Sequence, residues 1–84
     1  MIYKIYSVRD NAVGAYLPPM LMRSRGEATR AVTEALRDPQ HQFSKHPQDF
    51  VLFELGEWDD NSGAYSLHDA PFSLGVLIEF KETV

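Results

Sequence analysis

The sequence contains no cysteine, which excludes disulfide bonds, thiolate metal sites and cysteine nucleophiles. It has no apolar run long enough to cross a bilayer, and its first residues alternate apolar and polar side chains instead of forming a signal peptide. Its five glycines never approach the spacing of a phosphate-binding loop. We therefore expect a cytoplasmic protein that uses neither a membrane nor cysteine chemistry.

Basic residues are scarce in the second half of the chain. Residues 47–84 contain Lys81 against eight aspartates and glutamates, whereas residues 23–46 contain five lysines and arginines against three acidic residues. The net charge of −4 is therefore unevenly spread. Such an asymmetry concerns the partners of a protein more than its fold.

The length and the apolar content indicate one folded domain spanning residues 1–84. A chain of 84 residues cannot divide into two independent cores. Its hydrophobic fraction of 44%, with five Phe, four Tyr and one Trp, is well above that of a disordered chain.

The order of elements predicts an α+β fold. "MIYKIYSV" alternates as a strand does, "AYLPPMLM" is an edge strand or irregular arm because Pro18 and Pro19 remove two donors, and "FVLFEL" is a central strand covered on both faces. "AYSLHD" is a short strand, "APF" a break and "SLGVLIEFK" a last strand. We predict one amphipathic helix packed on a small, mostly antiparallel sheet of about four to five strands.

The helix has the clearest signal. Ser24 and Glu27 form an S-x-x-E capping box, and Pro39 prevents continuation. Between them an apolar stripe of helical period is formed by Ala28, Ala31, Val32, Ala35 and Leu36. Because the stripe is mostly alanine, the helix is expected to lie close against the sheet.

No constellation indicates catalysis. The serines have turn or cap explanations, and none lies in a nucleophile elbow. His41, His46 and Asp49 are neighbours in sequence, but their spacing matches no metal-site geometry, and His68 stands alone beside Asp69. We predict no catalytic residue, no metal site and no cofactor, and we do not expect an enzyme.

The arginines form the remaining signal. Arg23, Arg30 and Arg37 are spaced by seven and share one helix face, which Arg25 and Lys45 flank. Guanidinium groups match phosphate oxygens, so this face is a candidate DNA-binding surface. Exposed arginine on a helix is also ordinary, and two glutamates on the same helix partly neutralise it. Charge alone leaves both interpretations open.

The Pro-Pro arm supports a different hypothesis. An extended, proline-rich segment loses little entropy on binding, so Tyr16, Leu17, Pro18, Pro19 and Met20 are candidates for a partner or dimer contact. In this interpretation the protein is an adaptor whose acidic face binds another protein. Unpaired sheet edges further predict a homodimer.

Two stretches, "DNAVGAY" and "DNSGAY", begin at Asp10 and Asp60. Each combines side chains that bond the local backbone with a glycine able to adopt positive φ, which predicts two hairpin turns rather than ligand sites. The turns differ by one residue in length, so we expect different registers.

The chain resembles the small non-structural proteins of gokushoviruses, which are tailless single-stranded DNA phages of the microvirus group. The resemblance rests on "AYLPPMLMRSRGEATRAVTEAL", then "DPQHQFSKHPQDFVLFELGEWDDNSG" and a closing "SLG", and it spans nearly the whole chain. Its most specific part is residues 43–63, where F-x-KHP-x-D, an apolar strand, L-G-x-W/F-D-D and a glycine follow in order.

The resemblance implies a DNA-binding counterpart of the microvirus packaging protein C, located in the host cytoplasm. Such a protein would bind phage DNA, single-stranded or in the replicative form, together with the replication complex or a procapsid protein. It would stop duplex synthesis and divert DNA into procapsids. The resemblance carries over no catalytic motif and no mapped DNA-binding residue.

Overall fold

A computed structural model of the protein describes residues 1–81. Its strands are β1 (Ile2–Asp10), β2 (Ala15–Tyr16), β3 (Met20–Met22), β4 (Phe50–Asp59) and β5 (Tyr65–Val76). Its helices are α1 (Arg25–Arg37), α2 (Gln42–Lys45) and α3 (Leu77–Lys81), with a 3₁₀ turn at Pro47–Asp49. One five-stranded antiparallel sheet with helices confirms the predicted α+β class.

The sheet has the strand order β2-β1-β4-β5, with β3 also paired to β1. The predicted arm is therefore an edge strand in two pieces, interrupted where Pro18 and Pro19 lack the N–H groups that a ladder needs. Leu17 N, just before the prolines, still donates to Val8 O at 2.8 Å. The apolar run of β4 lies between β1 and β5, so its prediction as a central strand is confirmed.

The helices pack on one face of the sheet. Tyr6 and Val8 of β1 and Leu52 of β4 point to that face and are almost completely buried. The core that they share with the helices consists of Tyr6, Val8, Ala28, Val32, Leu36, Phe43, Phe50, Leu52 and Leu77. No helix within residues 1–81 is long and apolar enough to cross a membrane.

Helix α1 begins at the predicted cap. Ser24 Oγ accepts a hydrogen bond from Glu27 N at 3.3 Å, and Glu27 Oε2 accepts one from Arg23 N at 2.7 Å. The glutamate thus satisfies the amide before the cap residue instead of the cap residue's own amide. Ala28, Val32 and Leu36 are buried, as the apolar stripe predicted.

The predicted end of the chain is wrong in two respects. Strand β5 continues through the supposed break at Pro71, because β5 is an edge strand and a proline there need not remove a ladder bond. The supposed last strand ends at Val76, and α3 follows. Leu74, Leu77 and Phe80 are spaced by three and pack in or against the core, so the helical period prevails over the alternating one.

The two hairpin turns have equal lengths, contrary to the prediction. Gly14 N donates to Asp10 O at 2.7 Å, and Gly63 N donates to Asp59 O at 2.7 Å. Both glycines have positive φ, 81° and 75°. The residue equivalent to Asp10 is therefore Asp59, not Asp60. Strand β2 begins directly after the first glycine, at Ala15, and strand β5 begins one residue later after the second, at Tyr65.

Candidate nucleic-acid interface

The predicted cations do not form one cluster with a shared environment. Arg30 and Arg37 are exposed on α1, and Arg30 Nε donates to Glu34 Oε1 at 3.4 Å. Arg23 precedes the helix and Lys45 ends α2, and both are exposed. Within residues 1–81, the side chains of Arg23, Arg37 and Lys45 form no ion pair.

Arg25 points away from the other cations, toward the sheet. Its Nε donates to Glu54 Oε1 at 3.0 Å, and its guanidinium carbon lies 5.0 Å from the centre of the Phe72 ring. The side chain is 56% exposed, so the ion pair lies at the rim of the protein. Arg25 thus connects the start of α1 to β4 and β5.

Glu54 is the centre of a polar cluster that the sequence did not reveal. The residue is 3% exposed, and its carboxylate also accepts a hydrogen bond from Tyr6 OH at 3.2 Å. His68 Nε2 lies 2.8 Å from Glu54 Oε2, so this histidine is not the isolated residue that the sequence suggested. Every buried side-chain polar atom within the described residues has a partner.

Contacts within the cluster shift the pKa values of Tyr6, Glu54 and Arg25. Burial and the neighbouring Glu54 carboxylate raise the pKa of Tyr6 to about 12. Burial acts to raise the pKa of Glu54, but the hydrogen bonds from Arg25 and His68 outweigh it and lower that pKa below its usual range. The carboxylate in turn raises the pKa of Arg25. At neutral pH the Glu54 carboxylate is charged, and its three partners connect β4 to β1 through Tyr6, to α1 through Arg25 and to β5 through His68.

The Pro-Pro arm has two sides. Leu17 and Met20 pack against the core, whereas Pro18 and Pro19 are exposed. The inner side borders an apolar pocket of about 210 Å³, lined by Val8, Leu17, Pro18, Met20, Ala31, Val32, Ala35, His41 and Phe43. The arm is thus a wall of this pocket, while Tyr16 lies on the other face of the sheet, against Phe53.

His41 has a role that the sequence reasoning missed. Its Nδ1 accepts a hydrogen bond from Phe43 N at 3.1 Å and so caps the first turn of α2. Its ring also lies 4.5 Å from the Phe43 ring. The signal that could have indicated a cap is its position directly after the turn that Pro39 begins.

The sheet face opposite the helices, which we call the open face, carries two groups of aromatic rings. Cross-strand pairing places Tyr3, Trp58 and Tyr65 in one row, with ring centres 5.8 Å and 6.3 Å apart. At the other end, the Tyr16 and Phe53 rings are 5.6 Å apart. We predicted that β4 is covered on both faces. Within the described residues, helices cover one face of β4, and only side chains lie over the other.

The open face is free of carboxylates at the positions that the strand register defines. Those positions are Tyr3, Ile5, Ser7, Arg9, Tyr16, Leu21, Val51, Phe53, Gly56, Trp58, Tyr65, Leu67, Ser73 and Val76. Arg9 carries their one charge, and its guanidinium carbon lies 5.8 Å from the Tyr16 ring centre. Glu54 and Glu57 of β4 belong to the helix side, where Glu57 Oε1 faces Lys4 Nζ at 4.0 Å.

These features define a small α+β domain whose single sheet has helices on one face and exposed aromatic rings on the other. Residues 3–80 match the family described as Phage ORF5 protein, and the chain therefore belongs to that family. The predicted phage character is thereby confirmed. No curated protein and no solved structure matches the chain.

Proposed function

We propose that this protein is a non-enzymatic, non-structural phage protein that binds DNA in the host cytoplasm and acts in the switch from viral DNA replication to packaging. In this role it binds phage DNA, single-stranded or in the replicative form, alongside the replication complex or a procapsid protein. Membership of a phage family and the sequence resemblance to gokushovirus proteins support this proposal.

The observation that carries the proposal is a set of cations without acidic partners in an acidic protein. The net charge is −4, yet Arg23, Arg37 and Lys45 form no ion pair within residues 1–81. Exposed cations left without carboxylates are available to phosphate oxygens. Arg37 and Lys45 also end helices, where a cation stabilises the helix dipole, so the test must separate binding from stability.

A salt titration tests this function. If the three cations contact phosphates of a single-stranded oligonucleotide, log K falls with log salt concentration at a slope near about −2, from roughly −0.7 per contact. The triple variant Arg23→Ala/Arg37→Ala/Lys45→Ala should flatten that slope. Arg30→Ala is the matched control, because Glu34 already pairs with this arginine. Wild-type protein that binds neither single-stranded nor duplex DNA at low salt would refute the proposal.

The pocket behind the Pro-Pro arm favours a second candidate function, that of a protein adaptor. The pocket is apolar and Pro18 at its rim is exposed, so an apolar side chain of a replication or capsid protein would fit there. Val32 lies at the floor and Ala31 nearer the surface. Ala31→Trp would fill the pocket and should abolish binding of such a partner while leaving DNA affinity unchanged.

The predicted homodimer belongs to the same hypothesis. Strand β5 and the arm are the two edges of the sheet, and exposed edges favour pairing between copies. Sedimentation should show a mass of twice 9.6 kDa at high micromolar concentration. A monomer under those conditions would contradict the dimer without affecting the DNA-binding proposal.

A further inference from the structure

The open face has the composition of a stacking surface. Five of its side chains are aromatic rings, in two groups that lie at opposite ends of the face. Ile5 and Val51 belong to the same face but are only 5% and 8% exposed, so the larger side chains around them cover the sheet. Tyr65 remains 67% exposed and Tyr16 42%. Rings held over a sheet leave aromatic surface accessible to flat ligands.

Charge distinguishes the open face from the rest of the protein. The domain is acidic, but the register positions of this face include no carboxylate, and Arg9 beside Tyr16 adds a cation. At these register positions a polyanion therefore meets the Arg9 guanidinium and no carboxylate. The combination of rings with a cation and without carboxylates suits a ligand that has both flat apolar groups and phosphates.

We infer that the open face binds single-stranded DNA by stacking unpaired bases on its two aromatic groups, with Arg9 contacting the backbone near Tyr16. This inference rests on the proposed DNA-binding function; it names the ligand form and adds the open face as a second contact surface besides the helix-side cations. Bases in a duplex are stacked on one another and cannot reach the rings, so the face selects single strands. Rings on neighbouring strands of one sheet are a known arrangement for stacking two or three bases.

Trp58 provides the readout for this inference. It is the one tryptophan of the sequence and the middle member of the Tyr3, Trp58 and Tyr65 row. Stacking of a base on this row should quench its fluorescence. We expect a saturable loss of Trp58 emission on titration with oligothymidylate, and a much weaker effect with a duplex of the same length.

Two exposed residues of the open face form a matched pair of variants. Tyr65 is 67% exposed and Leu67 is 66% exposed, on the same strand and face. Tyr65→Ala should weaken oligothymidylate binding roughly 5- to 150-fold, because it removes a stacking ring, and it should leave the salt slope unchanged. Leu67→Ala should leave affinity nearly unchanged. Tyr16→Ala repeats the test at the other aromatic group.

The outcomes separate this inference from the function on which it rests. Wild-type protein that binds no DNA at low salt overturns both. DNA binding with unchanged Trp58 emission, and with Tyr65→Ala and Tyr16→Ala equal to wild type, leaves the proposed function standing and overturns the inference. Trp58 emission that changes with protein concentration in the absence of DNA would also overturn it, since the face would then be a contact between copies.

Discussion

Removing the charge of Glu54 should destabilise the fold while leaving its shape intact. Glu54→Gln keeps the volume and an oxygen that can accept from Tyr6 OH and Arg25 Nε, which now lie 3.2 Å and 3.0 Å from Glu54 Oε1. It loses the negative charge that strengthens the bonds to Arg25 and His68. The substitution therefore isolates the contribution of charge from that of packing.

The loss of stability can be estimated from the hydrogen-bond partners of Glu54. A hydrogen bond to a charged group stabilises by about 1.5–3 kcal/mol and a neutral one by about 0.5–1.5 kcal/mol. Arg25 is 56% exposed, so solvent screens its share, and we expect Glu54→Gln to cost about 1–2 kcal/mol. Glu54→Ala also leaves the buried Tyr6 hydroxyl without an acceptor and should cost about 3–5 kcal/mol.

Thermal unfolding at neutral pH measures this effect. For a domain of this size about 1 kcal/mol shifts Tm by roughly 4–8 °C, so Glu54→Gln should lower Tm by roughly 5–15 °C. Glu34→Gln is the control, because Glu34 is 61% exposed and its pair with Arg30 stabilises the helix by about 0.2–0.5 kcal/mol. Equal Tm values for wild type, Glu54→Gln and Glu34→Gln would refute the stabilising role of the buried charge.

The same contribution should depend on pH. The pKa of Glu54 is lowered in the folded protein, so the unfolded chain binds the proton more tightly. The stabilisation is therefore complete above the unfolded carboxyl pKa of about 4.3 and is lost as pH falls through the lower folded value. The Tm difference between wild type and Glu54→Gln should shrink in acid. A difference that stays constant between neutral pH and strong acid would contradict this assignment.

Two further predictions concern packing, and both are tested by measuring the free energy of unfolding in chemical denaturation. Leu77→Ala should lower the free energy of unfolding by about 2–5 kcal/mol because Leu77 is fully buried. Ile78→Ala, at a side chain that is 39% exposed, should lower it much less. The opposite order would mean that this segment is the strand that the sequence predicted and not a helix. Gly56→Ala would place Cβ 2.4 Å from Ser66 O and should destabilise the fold by about 1–3 kcal/mol or more. Gly26→Ala lies in helix α1, where there is room for a methyl group, so it should be neutral or stabilising by up to about 1 kcal/mol. Equal stabilities for these two glycine variants would mean that β4 and β5 are not closely apposed at Gly56.

The sequence was sufficient to predict an element wherever its apolar residues followed one period, either that of a strand or that of a helix. The alternation of β1 and the cap and stripe of α1 are local signals, and the structure confirms both elements. The segment "SLGVLIEF" satisfies two periods at once, since Leu74, Val76 and Ile78 alternate while Leu74 and Leu77 are spaced by three. Only the position of α1, against which α3 packs, decides between them.

The candidate sites were harder to predict because their members are distant in sequence. Glu54 lies in an apolar run, and its partners Tyr6, Arg25 and His68 come from three other parts of the chain. Alternation shows that a strand has two faces but not which face the helices cover, so Trp58 could not be assigned to an exposed surface. The helix arginines could be identified from the sequence because their spacing is local, but their ion pairs could not be predicted from it.

The position of β1 in the sheet has a consequence for how the protein is made. β1 is synthesised before β4 and pairs with it along its length, from Ile2 with Asp59 to Asp10 with Phe50. A chain emerging from the ribosome at about 5–20 residues per second can form the arm and α1 early, but it cannot complete the centre of its sheet until β4 has appeared. The β4 side of Tyr6 and Val8 then stays without its partner strand until residues 50–59 have been synthesised. The domain should therefore acquire its fold in a single late step, and chains that stop before residue 59 should be substrates for proteases rather than partly active fragments.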